Sequence, residues 1–274
     1  MKIGKRSLSV FIDRLTDVHN YKAISGFMRI HPRPVRAIVD EVFSMGSYPR
    51  TAEVRTPIGQ CKVRLYSPAD LSTLNIIFCR QDYDTPEHLG TIVDIGSNIG
   101  LSALYWLTRN PTSIVYCYEP SPISYERLLS NLSPYGQRVV SHQAAVSDFT
   151  GTAQLGLEES GVYSSLDLRT ANHVDCEVVH INDVLDRVLA RHERVDVLKI
   201  DSEGHELRTI KAIRPEFWKR IMCLNTDCKG AAQFVPPGFH YSSVSSAERF
   251  TRKGVWSKPS EVYQGAAKHE GCGI

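Results

Sequence analysis

The sequence predicts an α/β fold: a mostly parallel sheet with an antiparallel late strand, led in by N-terminal helices and a hairpin. Three observations carry this. From Thr91 onward, short apolar runs of strand length alternate with segments whose apolar residues recur at helical spacing. The first run empties into a glycine turn, Asp94-Ile95-Gly96-Ser97-Asn98-Ile99-Gly100. The second ends on an acid, Glu119, followed by the helix-starting pair Pro120 and Ser121.

Taken in order, residues 7–30 and 34–46 carry apolar residues at helical spacing, with Pro32 and Pro34 breaking between them. A hairpin follows: Ala52–Thr56, the turn Pro57-Ile58-Gly59, then Gln60–Tyr66. Asp70–Cys79 continues as a helix that ends near Tyr83 and Pro86. In the alternating region the expected strands are Thr91–Ile95, Ser113–Tyr118, Arg138–Ala145, Asp175–His180 and Val195–Ile200. The helices between and after them are Ile99–Thr108, Ser121–Leu132, Ile181–Arg191 and Glu203–Ile213. Thr152–Leu157 reads as the return strand of a hairpin. Arg220–Asn225 and His240–Val244 are late strands, with Phe250–Val255 pairing antiparallel. This divides the chain into a lead-in, residues 1–90, and a sheet domain, residues 91–274. Ligands of such sheets bind at the carboxyl ends of the strands.

Composition narrows the class without selecting a function. Of the 274 residues, 42% are hydrophobic and 23% charged, ordinary for a globular protein with a sizeable core. The formal net charge of +2 gives no basic field for nucleic acid, and no Asn-Pro-Pro-Tyr motif of a nucleic-acid methyltransferase occurs. Local basic clusters, Lys2 with Lys5 and Arg6, and Arg249 with Arg252, Lys253 and Lys258, read as solvated faces. The seven cysteines include no C-x-x-C pair, and their odd number fits a reducing compartment. Met1–Arg14 lacks the apolar core of a signal peptide, and no apolar run approaches a membrane span. The expectation is a soluble cytoplasmic protein; a homo-oligomer stays open.

The glycine turn carries the chemistry. Glycines at 96 and 100 let the backbone turn tightly and approach a ligand. The spacing differs from the dinucleotide fingerprint G-x-G-x-x-G, and an acid, Asp94, precedes the first glycine. A carboxylate there repels a pyrophosphate but suits a cationic amino-acid moiety such as S-adenosylmethionine carries. Glu119, one strand later, stands where an acid accepts hydrogen bonds from ribose hydroxyls, and the backbone at Pro120 and Ser121 can lie beside an adenine. The bland alternative is that Glu119 caps a helix and the glycines tighten a turn.

Four motifs in order resemble the FkbM-type family of S-adenosylmethionine-dependent methyltransferases. They are Val93–Gly100, Tyr118–Ser121, Ala145-Val146-Ser147-Asp148-Phe149-Thr150-Gly151, and Leu198-Lys199-Ile200-Asp201-Ser202-Glu203-Gly204-His205-Glu206, within roughly residues 50–215. The resemblance implies a Rossmann-like class I methyltransferase sheet and S-adenosyl-L-methionine as cofactor. It implies cofactor contacts from Asp94, Gly96, Asn98 and Glu119, with Asp148 approaching the adenine. Ser97, Gly100, Pro120 and Ser121 complete the expected cofactor set. Family members mostly methylate hydroxyl groups on sugars, glycolipids or polyketides, so the expected partner is a small-molecule or glycolipid acceptor.

Methyl transfer needs an oriented acceptor and a base for its proton. Asp201, at the end of a strand, and His205 are the candidates. The family's pattern usually has a small residue at the position of His205, whose bland reading is a surface helix histidine. Lys199 is expected to pair with Glu203 or Glu206. Asp201, Glu203 and Asp227 could gather round magnesium, but spacing alone does not make a site, and no metal is expected. The late strand reads Leu224-Asn225-Thr226-Asp227, with Asn225 where an acid was expected. Two rivals remain: an NAD(P)-dependent oxidoreductase, opposed by Asp94 and the glycine spacing, and a non-catalytic S-adenosylmethionine-binding protein.

Overall fold

The computed structural model describes residues 2–3, 6–7, 25–32, 34, 47–83, 90–157, 164–165, 172–202, 204–228, 230–244 and 247–255. Two short strands, β1 (Lys2–Ile3) and β2 (Arg6–Ser7), pair antiparallel. Residues 25–30 are helical; the rest of the expected segments 7–30 and 34–46 lies outside the described residues, apart from isolated positions. The hairpin is β3 (Arg50–Thr56) with β4 (Gly59–Leu65). Helix α1 (Pro68–Leu74) follows, capped by Ser67 and Asp70 in a reciprocal box. The helix expected over Asp70–Cys79 changes character at Asn75, where a wider π turn, Asn75–Arg80, carries the chain to Gln81 in the left-handed region.

The alternating region gives β5 (Thr91–Ile95), α2 (Leu101–Leu107), β6 (Ile114–Tyr118), α3 (Pro122–Leu132), β7 (Val139–His142), β8 (Ala145–Ser147), β9 (Gly151–Leu157), β10 (Ser164–Ser165) and β11 (His173–His180). It continues as α4 (Ile181–Leu189), β12 (Val197–Ile200), α5 (Glu206–Ala212), α6 (Pro215–Trp218), β13 (Cys223–Thr226), β14 (Phe239–Val244) and β15 (Ala247–Arg252). The main sheet has the order β14-β15-β13-β12-β5-β6-β7. Strands β7, β6, β5, β12 and β13 run parallel, and β15 is antiparallel to both of its neighbours. The chain moves outward from β5 through β6 to β7, then returns to start β12 on the other side. The strand order therefore reverses between β5 and β12, which opens a crevice at their carboxyl ends.

All five residues of β5 are buried, as a central parallel strand covered on both faces requires. Ile92, Val115, Cys117 and Val197 face one core, closed by α2 and α3 and by the lead-in through Val54, Val63, Leu71, Leu74 and Phe78. Val93, Ile95, Tyr116, Leu198 and Ile200 face the other, covered by α4, α5 and α6 through Val184, Leu185, Val188, Ile210 and Trp218. Asn131 of α3 staples the hairpin down, exchanging hydrogen bonds with the backbone of Arg64 and donating to the Ile99 carbonyl.

Three expectations are corrected. The single strand over Arg138–Ala145 is two: β7 closes the main sheet, and β8 joins a second sheet of order β10-β9-β11-β8. Strand β9 accordingly pairs with β11 rather than folding back on its predecessor. All three residues of β8 are buried: Val146 packs in the core under α4 and α5, and Ala145 packs on the other face with Leu155, Cys176 and Val178. The helix expected from Glu203 begins at Glu206; Glu203 itself lies outside the described residues.

Candidate cofactor and active site

At the end of β5 the backbone N–H groups of Gly96 and Ser97 both donate to the Tyr118 carbonyl, at 2.9 and 3.1 Å, turning the chain across the top of β6. Gly96 sits at φ +73°, and a Cβ there would fall 1.8 Å from the Asp201 carbonyl oxygen. The position admits glycine alone, because the loop after β12 presses directly on it. Gly100, at φ +87°, starts α2 against Leu132. Ser97 is buried and donates its hydroxyl to the Asp94 carbonyl at 2.7 Å; Asn98 is exposed at φ 47°.

The two halves predicted from sequence meet at Glu119. Its Oε2 accepts the Asn98 N–H at 2.8 Å and its Oε1 the Ser121 N–H at 2.9 Å. The carboxyl is buried, and burial pushes its pKa up to about 7 against the pull of those two bonds. Each oxygen retains acceptor capacity for a further donor. Pro120 is half-buried, and Ser121 caps α3 by accepting the Ser124 N–H.

Asp94 lies deeper than the elbow it precedes. It has no solvent exposure; Ser102 donates to its Oδ2 at 2.6 Å, and Lys199 Nζ stands 3.2 Å from Oδ1. The same ammonium lies 3.4 Å from Asp201 Oδ2 and donates to the carbonyls of Gly96 and Ile95 at 2.8 and 3.3 Å. This corrects the expected pairing of Lys199 with Glu206; Glu203, the other expected partner, lies outside the described residues. Strand alternation puts residues 199 and 201 on one face, and register puts Lys199 beside Asp94. Glu206 instead accepts the Gly204 N–H. Desolvation opposes the charge on Lys199, but the Asp94 and Asp201 carboxylates outweigh it and hold the pKa above the usual lysine range.

A polar row crosses the sheet in register: Cys117, Asp94, Lys199, Asn225 and Arg249. Asn225, where an acid was expected, accepts from Arg249 Nε at 3.1 Å, and Arg249 Nη2 donates to the Asp82 carbonyl at 2.7 Å. Asp82 is itself gripped by Arg80 through two bonds. The lead-in is thereby tied over the carboxyl ends of the strands, delivering Tyr83. The Tyr83 ring packs on Trp106 with centroids 5.8 Å apart. Burial, together with the charges of Asp201, Asp94 and Asp227, raises its phenol pKa, with Lys199 opposing. Sequence reading placed Tyr83 at the end of the lead-in and gave it no role at the site, since no periodicity marks a loop residue that long-range contacts put in place.

After β8, the Asp148 carboxyl is held by Ser147 and Arg208. Desolvation pushes its pKa up, but these hydrogen bonds and the Arg208 charge bring it below the usual range. His205, whose bland reading was a surface helix position, is buried, with Nδ1 3.2 Å from the Ser147 hydroxyl. His142, half-buried, stacks on Tyr118 at 4.9 Å. Among the described residues no group of three or more His, Cys, Asp or Glu side chains is placed to hold a metal ion. No helix among them is long and apolar enough to cross a membrane.

A reversed last strand on a parallel sheet, with a glycine elbow joined to an acid on the next strand, defines a Rossmann-like methyltransferase domain. The methyltransferase FkbM domain model matches residues 94–239, and the chain belongs to that family. Methyltransferase sdnD of Sordaria araneosa is 30% identical, the match covering 47% of this chain and 62% of that protein. The 31-O-demethyl-FK506 methyltransferase FkbM of Streptomyces tacrolimicus is 24% identical with the same coverage. The chain thus spans less than two thirds of the length of these curated relatives. Among solved structures, a putative caffeoyl-CoA O-methyltransferase from Staphylococcus aureus superposes with TM-score 0.37 at 11% identity, over 90% of this chain and 97% of that one.

Proposed function

We propose that the chain is an S-adenosylmethionine-dependent O-methyltransferase acting on a hydroxyl of a sugar, glycolipid or polyketide-type small molecule, in the cytoplasm. The observation that carries this is the charge balance at the elbow. Among the described residues, Asp94 and Asp201 both pair with the ammonium of Lys199, which sets two carboxylates against that one cation beside Gly96. That surplus favours a cationic cofactor and repels a dinucleotide's pyrophosphate. Gly96, Ser97, Asn98 and Gly100 offer backbone to it, Asp94 steadies them from beneath through Lys199, and Glu119 accepts the ribose hydroxyls. Pro120, Ser121 and Asp148 border the base.

When bound, S-adenosylmethionine supplies a methyl group on a positively charged sulfur. The chain's own work is to orient the acceptor and take its proton. Asp201, with its side chain 30% exposed at the crevice, is the group we assign to that proton, and Lys199 fixes its orientation. Tyr83 walls the acceptor side, so that residues 1–90 serve as acceptor cover and 91–274 as the cofactor domain. The methyltransferase name of the 31-O-demethyl-FK506 relative agrees with a hydroxyl acceptor.

The test is incubation with methyl-labelled S-adenosylmethionine and fractionated glycolipids and metabolites. Label appears in one acceptor fraction, and Asp201→Asn lowers transfer at least a hundredfold, well beyond the loss of cofactor affinity that removing one carboxylate brings. No label in any fraction, with cofactor bound, supports a non-catalytic binding protein instead.

A further inference from the structure

The lead-in hairpin has one face in the core and one in solvent. Val54, Cys61, Val63 and Leu65 pack inward. Strand alternation therefore turns Thr51, Glu53 and Arg55 of β3, and Gln60, Lys62 and Arg64 of β4, outward, and all six are exposed. Register sets Thr51 opposite Arg64, Glu53 opposite Lys62 and Arg55 opposite Gln60. Residues 50–66 hold four cations, Arg50, Arg55, Lys62 and Arg64, against one acid, Glu53, so this hairpin alone is more positive than the whole chain at +2. Glu53 reaches Lys62 at 3.7 Å with both side chains more than half exposed, a pairing that water screens. The basic face continues onto α3, since the guanidinium groups of Arg64 and Arg127 both stand over the Tyr66 ring, at 5.7 and 4.4 Å.

At its tip the hairpin is apolar. Only Pro57 and Ile58 lie between the paired residues Thr56 and Gly59, and the Thr56 hydroxyl closes the turn by donating to the Gly59 carbonyl at 2.6 Å. Ile58 is 44% exposed. Among the described residues, a Cβ at Gly59 would meet nothing within 4 Å, so the tip stands clear of the fold. An apolar side chain projecting ahead of a row of cations suits an anionic bilayer: the first enters the headgroup boundary and the cations face the lipid phosphates. A nucleic acid would use the cations but leave Ile58 in water, and the one aromatic ring beside them, Tyr66, is already covered by guanidinium groups.

We propose that this hairpin docks the chain on an anionic membrane surface, with Ile58 seated among the headgroups and Arg55, Lys62 and Arg64 over the lipid phosphates. The proposal goes beyond the cofactor reading and does not rest on it.

The test sediments the full chain with vesicles of phosphatidylcholine, with and without about one third phosphatidylserine. The wild type partitions at least tenfold more strongly onto the anionic vesicles, and about 0.5 M salt removes most of that preference. The triple variant Arg55→Gln, Lys62→Gln, Arg64→Gln loses about tenfold or more of the anionic partition, whereas Arg55→Lys with Arg64→Lys keeps it. Ile58→Ser lowers partition about threefold or more. If thermal unfolding shows that the triple variant does not fold, Ile58→Ser, on the exposed turn, decides. Equal partition of the wild type onto both vesicles, or either the triple variant or Ile58→Ser partitioning like the wild type, overturns the proposal. Binding of single-stranded RNA without binding of vesicles overturns it as well and assigns the face to a nucleic acid.

Discussion

Lys199 and Asp94, register partners on adjacent central strands, meet at 3.2 Å with both side chains buried, directly beneath the glycine elbow. Removing the ammonium leaves a buried carboxylate without its cation and strips two carbonyls of a donor. Lys199→Met is therefore expected to cost about 3–5 kcal/mol of folding stability, read from urea unfolding. A loss below about 1 kcal/mol would show that the pair contributes little.

Gly96 is fixed by the Asp201 carbonyl. Gly96→Ala puts a Cβ into a space 1.8 Å from that oxygen and at positive φ, so the loop after β12 must move. The expected outcome is a stability loss of about 2 kcal/mol or more and at least tenfold weaker S-adenosylhomocysteine binding. Calorimetry and thermal unfolding on the same samples measure both.

Glu119 makes the site pH-dependent. Its folded pKa, near 7, exceeds the ordinary 4.5, so between those values the folded chain holds a proton that the unfolded chain has lost. Its contribution to stability is full below pH about 4.5 and declines as pH rises through 7. Ribose hydroxyls donate best to the ionised form, so S-adenosylhomocysteine affinity should climb from pH 6 to 8 with net proton release. Titrations in buffers of different ionisation enthalpy detect that proton, and Glu119→Gln abolishes the release. Proton uptake on binding would contradict the assignment.

Arg249 is the strap on the lead-in. Arg249→Ala removes the donor to the Asp82 carbonyl and leaves Asn225 without its partner in the cross-strand pair. Amide exchange over residues 76–83 is expected to accelerate about tenfold or more, while the backbone of β5 keeps its protection. Unchanged exchange in the lead-in would show that packing around Phe78 holds it unaided.

Much of the fold was legible because each central strand is a continuous apolar run and each break carries its own chemistry, as Gly96 and Pro122 do. The division of one expected strand into β7 and β8 was not, since pairing with β11 is a contact about 30 residues away that no local pattern encodes. At the site, Gly96, Asn98 and Glu119 came together as expected because their spacing mirrors consecutive strand ends. Lys199 was misassigned for the opposite reason: its partner, Asp94, depends on strand order. His205 and Tyr83 likewise take their places from Ser147 and Trp106, far off in sequence.

The central claim is that the elbow and Glu119 hold a sulfonium nucleoside rather than a dinucleotide. Parallel calorimetric titrations with S-adenosylmethionine and NAD test it most directly. The expected result is one equivalent of S-adenosylmethionine bound, weakened at least tenfold by Glu119→Gln, and no binding of NAD. Binding of NAD, or S-adenosylmethionine affinity indifferent to Glu119, would contradict it.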